Sequence, residues 1–81
     1  MNKRDILKLL TAEPFVPFRI RLADGKTYDI RHPELLWVFS TRLEIARPAE
    51  HWEQSRELED SEFVGLLHVV RTEPLTQSAR S

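Results

Sequence analysis

From Phe18 to Ile30 the chain alternates between apolar and polar positions. Phe18, Ile20 and Leu22 share one face of an extended run, Tyr28 and Ile30 share one face of the next, and Asp24-Gly25 lies between them. Alternation with a period of two marks a half-buried strand, and Asp-Gly between two such runs marks a hairpin. Directly opposed residues point to the same side of a sheet, so the faces select the register. A type I turn on Ala23-Asp24, with Gly25 left-handed in a bulge, sets Leu22 against Lys26, Ile20 against Tyr28, Arg19 against Asp29 and Phe18 against Ile30. A two-residue loop on Asp24-Gly25 would instead oppose Ile20 to Asp29, apolar to charged. The bulged turn is therefore expected, with Gly25 at positive φ and Arg19–Asp29 an opposite-charge pair on the solvent side.

Residues 2–12 carry a helical pattern. Ile6, Leu7, Leu9 and Leu10 fall close to one side, Lys3, Arg4, Asp5 and Lys8 take the other, and Asn2 suits the cap. Pro14 stops the helix, which is too short to persist without packing. It serves either as a lid on the end of a barrel or as a partner-binding helix. After the hairpin, His32-Pro33-Glu34 breaks the second strand. Leu35 to Phe39 is apolar throughout, so alternation is lost and both faces are expected to be covered. Ser40-Thr41-Arg42 turns into Leu43 to Arg47, the hairpin partner of that run.

Pro48 to Glu57 reads as a polar loop with Trp52 in its middle, and Leu58 to Ser61 as strand or loop. Glu62 to Leu67 and Val69 to Thr72 read as strands. Gly65 marks a bend and Leu67-His68 a 3₁₀ corner between them. The expected fold is mainly β with an N-terminal α-helix: a small antiparallel, strongly bent sheet or barrel of about five strands, Sm-like or SH3-like. Residues 1–75 form one domain and 76–81 a flexible tail. With only Gly25 and Gly65 available for sharp corners, incomplete closure is part of that expectation.

At 81 residues the core is small, and without cysteine no disulfide or cysteine-based zinc site can reinforce it. Self-association is the remaining source of stability. The pattern contains neither a signal peptide nor a membrane span, and a cytoplasmic location is expected. The net charge of −1 hides an asymmetry. Residues 1–47 hold nine Lys and Arg against six Asp and Glu, whereas residues 48–81 hold three against seven.

The run Glu13-Pro14-Phe15-x-Pro17-Phe18-Arg19-Ile20-x-Leu22-x-Asp24-Gly25-x-x-Tyr28-x-Ile30-x-His32-Pro33, with Leu66-Leu67-His68-Val69-x-x-x-Glu73-Pro74-Leu75, resembles a family of short uncharacterised bacterial proteins. The resemblance spans about residues 4 to 75 and brings no activity with it. More distantly, the element order is similar to the Sm-like proteins, the Hfq-type RNA chaperones among them. That likeness implies a bent five-stranded sheet, ring assembly through strand edges and RNA binding. The chain lacks a strongly basic surface, and no position here matches the RNA-pocket residues of that group.

Little in the chain points to chemistry. His32, His51 and His68 are not at metal-ligand spacing, the serines sit in no nucleophile motif, and glycine is too scarce for a phosphate loop. No catalytic, cofactor or metal residue is assigned, and the protein is read as not an enzyme. Two surfaces remain. Arg19, Arg21 and Arg31, with Lys26 near the tip, lie on the outward face of the first hairpin, where they could follow a phosphate backbone. The alternative is an ordinary solvated face, and no aromatic is interleaved there. Trp37, Phe39, Trp52 and Leu66 are candidate interface residues, Trp52 either as an exposed anchor or folded back as a cap. The expected role is a non-enzymatic interaction module, homo-oligomeric in the first place, with another protein as the second candidate partner. The alternative is an Sm-like nucleic-acid-binding regulator. No cofactor and no membrane partner is expected.

Overall fold

β1 (Phe18–Leu22), β2 (Thr27–Ile30) and β4 (Arg42–Pro48) form where the alternation places them, and the turns decide which strands become neighbours. In the computed structural model, residues 1–75 are described; the expected tail at 76–81 lies outside them. The order is α1 (Lys3–Leu10), β1 (Phe18–Leu22), β2 (Thr27–Ile30), a 3₁₀ turn (Pro33–Leu35), β3 (Leu36–Val38), β4 (Arg42–Pro48), α2 (Trp52–Ser55), β5 (Leu58–Gly65), a second 3₁₀ turn (Leu66–His68) and β6 (Val69–Pro74).

The β1–β2 hairpin has the bulged register, with Phe18 opposite Ile30, Arg19 opposite Asp29 and Ile20 opposite Tyr28. The Leu22 amide donates to the Lys26 carbonyl at 2.9 Å, and the Gly25 amide donates to the Leu22 carbonyl at 3.0 Å. Gly25 has φ of 93°. The Asp24 carboxylate accepts from the Lys26 amide at 3.0 Å, which steadies the turn from the side.

Strand β6 pairs with the other side of β1, so β1 is the centre of one sheet, β2-β1-β6. The second sheet is β3-β4-β5. Both are antiparallel. Leu58 to Ser61 belongs to β5, which continues unbroken to Gly65. The chain passes between sheets through the 3₁₀ turn at Leu66–His68. A Cβ on Gly65 would lie 3.2 Å from the His68 ring, so this corner has little space for a side chain.

The main core lies between the sheets. Phe18, Ile20, Ile30 and Val69 come from the first sheet, and Leu36, Leu43, Ile45 and Val64 from the second. α1 closes one side through fully buried Ile6. Asn2 Oδ1 caps it by accepting from the amides of Arg4 (2.9 Å) and Asp5 (3.2 Å). The helix ends at Leu10, two residues before the expected limit, and Leu7 is exposed. At its end both the amide and the hydroxyl of Thr11 turn back to the Leu7 carbonyl.

The sheets do not close into a barrel. Among the described residues, the outer edges of β2 and β5 are unpaired, and side chains bridge them. The Tyr28 hydroxyl donates to Glu62 Oε1 at 2.8 Å, and Lys26 Nζ lies 3.9 Å from Glu62 Oε2. Among the described residues, no helix is long and apolar enough to cross a membrane.

The uniformly apolar run Leu35 to Phe39 divides at Leu35. Pro33 at the start of a 3₁₀ turn leaves only Leu36–Val38 as strand. Leu36 enters the main core, while Leu35 joins Ala46 and Trp52 in a small second cluster. Ala46 follows Ile45 on β4 and therefore points to the opposite, outward face. The Pro48–Glu57 segment is not wholly loop, because its single helical turn, α2, lays Trp52 over that face.

Candidate functional site

The outward face of the second sheet divides into two halves. One is covered by Trp52, and the other exposes aromatic side chains. In register across the sheet stand Trp37 on β3, Glu44 on β4 and Phe63 on β5. Opposed residues share a face, so all three point away from the core. Arg42, two residues before Glu44 on β4, points the same way. Phe39 lies just beyond β3, and its amide donates to the Arg42 carbonyl at 2.9 Å.

The Arg42 guanidinium carbon lies 5.0 Å from the Phe39 ring centre and 4.7 Å from that of Phe63. The two rings are 6.4 Å apart and tilted. Such contacts contribute about 0.5–1 kcal/mol each when exposed, enough to orient a long side chain. Arg42 takes part in none of the ion pairs among the described residues. Glu44 accepts a 2.8 Å hydrogen bond from the Ser61 hydroxyl instead. Trp37, Phe39 and Phe63 are 43%, 40% and 58% exposed. Neighbouring aromatics that remain this open on a folded sheet are typical of contact surfaces.

Of the expected interface residues, Leu66 requires correction, and Trp52 takes the second of its two expected roles, the folded-back cap, and not that of exposed anchor. Trp52 is buried against Leu35 and Ala46, with the His32 ring 5.0 Å away and the Arg56 guanidinium 4.6 Å above it. α2 turns it inward because the outward face beside Ala46 is itself apolar. Leu66 belongs to the main core, turned in by the 3₁₀ corner, and its neighbour Leu67 is the residue left in solvent, at 94% exposure. Trp37 and Phe39 are at the surface, beside Arg42 and Phe63. No sequence pattern marks the latter pair, because their meeting depends on the β4–β5 register.

Every basic residue of the first hairpin has a carboxylate within 4 Å, although Arg19 and Arg31 share Asp29. Arg19 holds Asp29 through two contacts of 2.7 and 3.2 Å. Arg21 holds Glu73 at 3.0 and 3.4 Å, and Arg71 reaches the same carboxylate at 3.0 Å. Arg31 lies 3.8 Å from Asp29, and Lys26 faces Glu62. The Arg19 hydrogen bond holds the Asp29 carboxyl below its ordinary range and raises Arg19 in turn. Arg21 first, and Arg71 after it, do the same for Glu73. A phosphate arriving here would compete with carboxylates already in place.

A cleft of about 730 Å³ lies beside the start of α1 and is bordered by Arg4, Ser40, Thr41, Leu67 and His68. Among the described residues, no three His, Asp or Glu side chains converge as metal ligands. Compared with protein-family models, with curated proteins and with solved structures, the chain finds no match in any of the three.

Proposed function

We propose that this protein is a small non-enzymatic interaction module that self-associates through the outward face of its second sheet. The observation that carries this reading is the open aromatic face of Trp37, Phe39 and Phe63, the last two against Arg42, which has no carboxylate partner among the described residues. Aromatics and arginine are the side chains that most often anchor protein contacts. Association by the face is favoured over association by the long β5 edge. That edge strand carries Glu59, Asp60 and Glu62, and charged side chains along an edge blunt its pairing with a second copy.

The alternative, an Sm-like nucleic-acid-binding regulator using Arg19, Arg21, Lys26 and Arg31, draws less support. Each of those cations has a carboxylate within 4 Å. The deciding experiment is sedimentation velocity across a hundredfold concentration range, on protein purified at low salt without nuclease. An oligomer free of 260 nm absorbance, lost in Phe63→Ser without loss of thermal stability, is expected. A monomer at every concentration overturns the proposal. Co-sedimenting nucleic acid released by high salt moves the assignment to the alternative.

A further inference from the structure

The exposed face has a charge pattern that specifies its partner. Along β4 it presents one cation, Arg42, and one anion, Glu44, two residues apart on the same side. Successive same-face residues on a strand are separated by roughly 6.6 Å. The two side chains nevertheless do not pair with each other. Arg42 lies against Phe39 and Phe63, and Glu44 is held by Ser61. Each is oriented, and among the described residues each lacks an opposite charge. Phe63 borders both, with Phe39 beside Arg42 and Trp37 beside Glu44, so apolar rings flank the charges and can exclude water from any pair formed there.

We infer that the partner is a second copy of this chain, bound face to face about a two-fold axis that crosses β4 at the level of Leu43. The axis reverses one β4 over the other. Arg42 of each copy then meets Glu44 of its partner, and both ion pairs form at once. This is the self-complementary arrangement that a two-fold interface demands. A parallel stacking would place arginine over arginine and glutamate over glutamate. The inference rests on the self-association proposed above and adds its geometry.

The test is sedimentation equilibrium on wild type, Arg42→Glu, Glu44→Arg, the double exchange, and an equimolar mixture of the two single variants. Each single reversal sets like charges against each other twice, and about a hundredfold or greater weakening of the dimer is expected. The double exchange restores the dimer to within roughly tenfold. In the mixture, a copy bearing two glutamates meets a copy bearing two arginines, and a heterodimer forms although neither variant dimerises alone. Thermal melting of each variant separates lost folding from lost association. Should a reversal destabilise the fold, Arg42→Gln and Glu44→Gln replace the pair, each expected to weaken the dimer. Single variants that dimerise like wild type, or a mixture that yields no heterodimer, overturn the two-fold arrangement and leave self-association standing. A monomeric wild type overturns both.

Discussion

Replacing Gly25 with alanine tests the turn from which the first sheet is built. Gly25 has φ of 93°, and its amide donates to the Leu22 carbonyl. No atom lies within 4 Å of the place where a Cβ would project. The substitution therefore meets no neighbour, and its whole cost is the left-handed backbone, about 1–2 kcal/mol for an L-residue. Part is returned because alanine leaves the unfolded chain less freedom, about 0.4–1 kcal/mol. A net loss of about 1 kcal/mol remains, or a fall in melting temperature of roughly 4–8 °C for a domain of this size. A D-alanine at the same position, introduced by chemical synthesis, adopts positive φ without strain. It retains only the unfolded-state benefit and is expected to equal or exceed the stability of the wild type. Thermal and urea unfolding of the three proteins provide the measurement. An L-alanine variant as stable as wild type, or a D-alanine variant as destabilised as the L form, would refute the bulged turn and the register derived from it.

Three further outcomes follow from side-chain environments. Tyr28 is the only tyrosine in the chain, and burial, reinforced by its hydrogen bond to Glu62, pushes its hydroxyl up to about 12. Absorbance at 295 nm should place its titration near that value, and stability should fall as the pH rises from about 10 through 12; a midpoint near 10 would mean that the bridge between β2 and β5 does not form. Asp29, Asp60 and Glu73 are held below their ordinary range by hydrogen bonds from Arg19, Arg47 and Arg21. Their contribution is intact above the usual carboxylate range of about 4 and is lost as the pH falls below it, so the urea midpoint should decline there, and less steeply in Asp29→Asn. Trp52→Ala removes the cap over Leu35 and Ala46 and should cost about 3 kcal/mol of stability while leaving the association constant of the folded protein unchanged; unaltered stability with lost association would return Trp52 to the role of an exposed anchor.

The amino-acid sequence by itself determined what depends on near neighbours. Period-two alternation sorts Phe18, Ile20 and Ile30 to one face and Arg19 and Asp29 to the other. Because a one-residue slip would exchange those faces, the pattern also selects the turn that Gly25 closes. The Asn2 cap and the corner after Gly65 are likewise set within a few residues. Tertiary structure alone decided which outward faces are covered and which residues meet across them. Arg21 finds Glu73, 52 positions away, and that match engages a residue which in sequence reads as free positive charge. Arg42 and Phe63 come together only because β5 returns beside β4 after α2. Trp52, flanked by polar residues in sequence, is buried because the outward side of β4 at Ala46 is apolar. The face on which a side chain lies is a property of its own strand. Its neighbour on that face belongs to another strand, whose position is chosen by burial of the whole core and leaves no local trace.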